Sequence, residues 1–134
     1  MKLTTNIIHI DKQDKLLLVV GNSFRIVAFE DINYLQSWGS YTQIYLSNNK
    51  KIVSTMGITF YEELLVEYHF FKINKSTLIN LNEIESYNHK KKSIKLQNTQ
   101  ELEVSRRKQK EFVKAVYELT IRVSVPKIET VEKV

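Results

Sequence analysis

Short apolar–polar alternations, each broken by a turn residue, recur along this chain and leave little room for long helices. In YTQIYLS (Tyr41 to Ser47), Thr42, Ile44 and Leu46 share one strand face, and Tyr41, Gln43 and Tyr45 share the other. INYLQSW (Ile32 to Trp38) precedes it through Gly39-Ser40, and KKIVST follows through Ser47-Asn48-Asn49-Lys50. LLLVV (Leu16 to Val20) and FRIVAF (Phe24 to Phe29) flank Gly21-Asn22-Ser23, a further expected hairpin. IESYN and SIKLQ flank a basic turn, His89 to Lys92, and SIKLQ then pairs with ELEVS across Asn98-Thr99. That last pairing puts Ile94, Leu96, Leu102 and Val104 on one side, with Lys95, Glu101 and Glu103 on the other. With three glycines and one proline, the turns must draw on Asn, Asp and Ser.

Helical spacing occurs twice. In ITFYEELLVEY, Ile58, Phe60, Tyr61, Leu64 and Leu65 recur at helical intervals, with Thr59 as candidate cap. In RRKQKEFVKAVYEL, Phe112, Val113, Val116 and Leu119 line one face, with Ser105 as candidate cap. The expected fold is therefore mostly β with two short helices. A length of 134 residues implies one domain. We place it at 16–119, after a lead-in or one extra strand at 1–15. Residues 120–134, which hold the only proline, read as a loosely held tail.

Several function classes drop out. No apolar run approaches the ~18 to 20 residues that span a bilayer, and the N-terminus lacks a cleavage site. The default compartment is the cytoplasm, with no membrane partner. There is no cysteine, and His9, His69 and His89 lie far apart, so no metal site is expected. Neither a Gly-rich phosphate loop nor a GxSxG elbow occurs. Glu62-Glu63 reads as a solvated helix edge. We expect no enzyme, no cofactor and no small-molecule substrate.

The net charge is +5 and the pI near 9.3, a balance that permits nucleic acid as a partner. Lys90, Lys91, Lys92 and Lys95 lie in or beside one turn, while Arg106, Arg107, Lys108 and Lys110 open the last helix. The two groups bracket one hairpin pair and could share a side. Cations at a helix start oppose its dipole at ~0.3 to 1 kcal/mol each. Either this is a solvated basic edge, partly neutralised by Glu111, or it awaits phosphates. A third polar row interrupts FFKINKSTLINLNEI (Phe70 to Ile84): Lys72, Asn74, Lys75 and Ser76 stand among core residues Phe70, Phe71, Ile73, Leu78 and Ile79.

From about Leu16 to Leu119 the chain resembles the LytTR DNA-binding domain, the mostly β effector module of many bacterial response regulators. FEDINYLQSWGSYTQIYL resembles the family's opening, and ITFYEELL its "L-x-x-L-E-x-L-L" segment. FFKINKSTLINLNEI resembles "F-x-R-I-H-R-S-x-I-V-N-x-x-x-I", and LQNTQELEVSRRKQKEF resembles "L-x-x-G-x-x-L-x-V-S-R-R". Each motif is weak alone; four in order are specific.

The resemblance implies an elongated stack of small, mainly antiparallel β-sheets that puts connecting loops into successive grooves of duplex DNA. The implied contacts are Ser40, Tyr41 and Thr42; Asn74, Lys75 and Ser76; and Ser105, Arg106, Arg107, Lys108 and Lys110. Arg107 is the strongest candidate for a base edge, with Lys108 and Lys110 for phosphate. Asn74 stands where the family most often has His, and Lys75 where it has Arg, which replaces a planar fork by a point charge. Gln36 replaces the usual Glu, and Asn98-Thr99 the usual turn Gly.

Structural readings stand beside these. Ser76 can cap a turn, Asn80 can tie one, Tyr41 can pack on a sheet face, and Trp38 belongs to core or rim. The chain leaves no room for a receiver domain, which implies a stand-alone regulator or a piece of a longer one. Family targets imply paired direct repeats, with a homodimer forming on DNA. The rivals are a protein-interaction module with a basic edge, and an RNA binder stacking bases on Tyr41 and Tyr45.

Overall fold

The computed structural model describes residues 3–4, 6–10, 14–20 and 22–120. Residues 121–134, nearly all of the expected tail, lie outside that set. The described strands are β1 (Leu3–Thr4), β2 (Asn6–Ile10), β3 (Lys15–Val20), β4 (Ser23–Ala28), β5 (Ile32–Trp38), β6 (Tyr41–Leu46), β7 (Lys51–Ser54), β8 (Phe70–Asn74), β9 (Thr77–Asn80), β10 (Ile84–Asn88), β11 (Ser93–Leu96) and β12 (Glu101–Glu103). Two α-helices join them, α1 (Ile58–Leu65) and α2 (Gln109–Thr120). The fold is mostly β with two helices, as the alternations imply, and its several sheets are those the family resemblance implies. The lead-in contributes two strand segments rather than one.

A six-stranded sheet, ordered β1-β7-β6-β5-β9-β8, forms the middle. Its pairings are antiparallel except β1 with β7. The strands β2-β3-β4 form a second sheet, and β10-β11-β12 a third. Both faces of the middle sheet are covered. Ile32, Leu35, Ile44 and Leu78 pack with Leu16, Leu18 and Val27 of the second sheet and Tyr61 and Leu65 of α1. Tyr34, Ile73 and Ile79 pack with Ile94 and Leu96 of the third sheet and Phe112 of α2. Phe112, with rings Phe71 and Tyr87 at 6.0 and 5.1 Å, anchors α2.

Local chemistry explains the turns. Gly39 takes φ +62° in the β5–β6 turn, a conformation that costs other residues strain. Elsewhere left-handed positions fall on Asp14, Asn49, His69, Lys92 and Thr99, in a chain with few glycines. Asn80 ties one end of the sheet. It is 2% exposed, donates from Nδ2 to the carbonyls of Phe29 (3.3 Å) and Ile32 (2.9 Å), and accepts the Asn82 N–H at 3.0 Å.

Both expected helix caps are corrected. Gly57, not Thr59, precedes α1, and the helix is held instead by buried Tyr61, whose hydroxyl donates to Ser54 Oγ at 2.7 Å. Ser105 does precede the last helical segment, but its side chain makes no capping bond. That segment opens as a 3-10 turn, Arg106–Lys108, before α2 begins at Gln109. Only Lys110 of the four cations therefore lies in the first α-helical turn, next to Glu111. The expected conflict with the dipole shrinks accordingly.

Candidate nucleic-acid interface

Strand register brings the expected contact segments together. Strand β5 pairs antiparallel with β9, with Gln36 opposite Thr77, so the end of β5 lies beside the start of β9. The Gly39-Ser40 turn and the Lys75-Ser76 turn thus share one end of the middle sheet. The Ser37 N–H donates to the Ser76 carbonyl at 2.9 Å across them.

A bulge supplies the third segment. Pairing of β8 with β9 steps from Lys72–Leu78 to Asn74–Thr77 and skips Ile73. The Ile73 carbonyl accepts the Ser105 N–H at 2.9 Å. Beside it, Asn74 Nδ2 donates to the Glu103 carbonyl at 3.0 Å, and Asn74 Oδ1 accepts the Ser76 N–H at 3.0 Å. The segment that carries Arg106 to Lys110 is thereby pinned to the Lys75-Ser76 turn. The basic turn joins from the other flank, its Lys92 carbonyl accepting the Val104 N–H at 2.9 Å. That bond brings the backbone of the basic turn next to the segment that leads into Ser105.

Between the pinned segments and α1 lies an open cleft of about 480 Å³, lined by Glu62, Lys72, Asn74, Lys75, Ser105, Arg107 and Lys108. Two of its cations already have counter-charges. Lys72 Nζ lies 3.5 Å from Glu62 Oε1, and Lys108 Nζ lies 3.5 Å from Glu111 Oε1 and 5.8 Å from the Phe71 ring centre. Lys75 and Arg107 have no ion-pair partner among the described residues and face the same cleft.

The expected contact residues divide clearly. Ser40, Lys75, Arg106, Arg107 and Lys110 are exposed; Ser76, Ser105 and Lys108 are half-buried. Tyr41 is 37% exposed and meets Trp38, itself 48% exposed, edge to face at 6.3 Å. Thr42 must be struck from the direct contacts. It is 0% exposed, because it lies on the β6 face that carries Ile44 and Leu46 into the core. Asn74 has a structural role as well, since its amide holds two loops through Glu103 and Ser76. Ser76 serves that turn through its N–H. Sequence reasoning missed Glu62, treated as a solvated edge, because its partner Lys72 is distant in the chain. Lys72 was visible in the polar row of Phe70 to Ile84.

The family model of the LytTr DNA-binding domain matches residues 22–116. The chain belongs to the LytTr DNA-binding domain family. A solved LytTr DNA-binding domain from Bacillus cereus has a similar fold, with TM-score 0.65 at 19% identity over 77% of this chain and 96% of that one. No curated protein matches the chain. This LytTr protein is thus a DNA-binding regulator, and the basic cleft at one end of its middle sheet is its candidate interface. No described helix is long and apolar enough to cross a membrane.

Proposed function

We propose that this LytTr protein is a sequence-specific binder of double-stranded DNA that regulates transcription in the cytoplasm without cofactor or catalysis. The turn at Ser40 and Tyr41, the turn at Lys75 and Ser76, and the segment Arg106 to Lys110 enter successive grooves. The observation that carries this reading is their convergence on one end of the sheet, through the Ser37–Ser76, Ile73–Ser105 and Asn74–Glu103 hydrogen bonds. Arg107 reads a guanine edge with its planar fork. Lys75, Arg106, Lys108 and Lys110 neutralise phosphates and set the register. Two copies occupy paired direct repeats.

Selection from a randomised duplex library at near-physiological salt tests this. Enrichment of a short motif, repeated at fixed spacing in the same orientation, is the expected result. Binding without enrichment refutes sequence specificity. No binding refutes the DNA reading and favours a protein partner for the basic edge.

A further inference from the structure

One carboxylate lies among the cations of the cleft, and its placement is costly for a surface meant to receive phosphates. Glu62 projects from α1, outside the three segments assigned to DNA, and holds Lys72 at 3.5 Å. The two side chains are 39% and 22% exposed. A pair this exposed adds little to stability, so folding alone gives a weak reason to put an anion there. An unmatched duplex offers only phosphates, and binding to it depends on cations that replace condensed counterions. A Lys72 shared with Glu62, across the cleft from α1, gives less to that exchange. A matched duplex offers base edges as well, and a carboxylate accepts a hydrogen bond from the exocyclic amine of cytosine.

Building on the DNA-binding reading above, we propose that Glu62 is a specificity-determining residue. On unmatched DNA it keeps Lys72 out of phosphate contact. A cytosine amine presented at the cleft draws the carboxylate away and frees Lys72 for a phosphate. The ion pair is thus a latch that a correct base opens. It adds discrimination by lowering sequence-blind affinity instead of only raising affinity for the target.

The test is anisotropy titration of wild type, Glu62→Gln, Lys72→Gln and the double variant against a random-sequence duplex and the selected site, across a salt series. Glu62→Gln is expected to bind the random duplex about three- to tenfold more tightly, with a salt slope steeper by ~1. Its affinity for the selected site stays level or falls, so the specificity ratio drops. Lys72→Gln alone is expected to weaken random-duplex binding, because it leaves the Glu62 carboxylate unpaired in the cleft. Added to Glu62→Gln, it removes the gain. Unfolding midpoints stay close to wild type, which separates the effect from misfolding. Unchanged random-duplex affinity in Glu62→Gln overturns the latch, and so does an equal gain on both duplexes. If wild type binds neither duplex, the DNA reading fails and takes the latch with it.

Discussion

Asn74→Ala removes the side chain that joins two of the three segments proposed to contact DNA. The structure sets the magnitude. Two hydrogen bonds of 3.0 Å are lost, one to the Glu103 carbonyl and one from the Ser76 N–H. Each contributes ~0.5 to 1.5 kcal/mol net, and Asn74 is half-buried, so water satisfies part of what is left. The expected destabilisation is ~1 to 2 kcal/mol, a fall in Tm of roughly 4 to 8 °C. On DNA the loosened segments should bind every sequence less well, by about tenfold, with base preference intact. Asn74→Asp sharpens the test. It retains the acceptor for Ser76 but loses the donor to Glu103, and it adds an anion to the cleft. It should therefore keep the turn, lose the tie and weaken binding most at low salt. Thermal unfolding, with titration of the selected site and its single-base variants, reads both effects. A loss confined to one base position, with Tm unchanged, would refute the clamp and make Asn74 a base reader after all.

Four further outcomes are expected. Arg107→Ala should cost ~1 to 3 kcal/mol at the selected site and relax preference at one position; wild-type preference would refute its base contact. Lys110→Ala should weaken all sequences alike and lower the salt slope by ~1, as read by titration across a salt series. Thr42→Val should raise stability by ~1 kcal/mol and leave DNA binding unchanged, because the buried Thr42 hydroxyl has no hydrogen-bond partner among the described residues. Glu83→Gln should raise Tm at pH 7. Burial first, then Asp31 and Glu30, pushes the Glu83 carboxyl above its ordinary range, so its ionised form penalises the folded state. That penalty is absent below the unfolded carboxylate pKa and complete above the folded one. The gain should therefore vanish as pH falls through the folded pKa, and a gain that persists in acid would contradict the cause.

Sequence patterning revealed most of the architecture because strand alternation and turn chemistry are local. The hairpin about Gly39-Ser40 pairs Trp38 with Tyr41, and the one about Asn98-Thr99 pairs Lys95 with Glu101, as the alternations require. Asn80 ties a turn, as one structural reading held. The Thr42 error was avoidable, since the same alternation that buries Ile44 buries Thr42. The Asn74 and Ser105 roles were not legible. Both depend on a bulge at Ile73, where the register skips one residue, and nothing in the spacing of Phe70 to Asn74 displays it. Neither cap was readable from residue type alone. Thr59 and Ser105 have suitable hydroxyls, but packing and backbone ties fix those helix starts instead. The Glu62–Lys72 pair crosses from α1 to β8, a contact that only the packed fold creates.

The bulge at Ile73 also has a consequence for the order in which a ribosome delivers this protein. The turn at Ser40 leaves the exit tunnel early, and the carbonyl that Ile73 offers must wait for Ser105, 32 residues later in the chain. Until then the Lys75 turn has neither its tie to Glu103 nor the arginines beside it. At ~5 to 20 residues per second that interval is a few seconds. An unfinished chain therefore lacks the ties that bring the three proposed contact segments together.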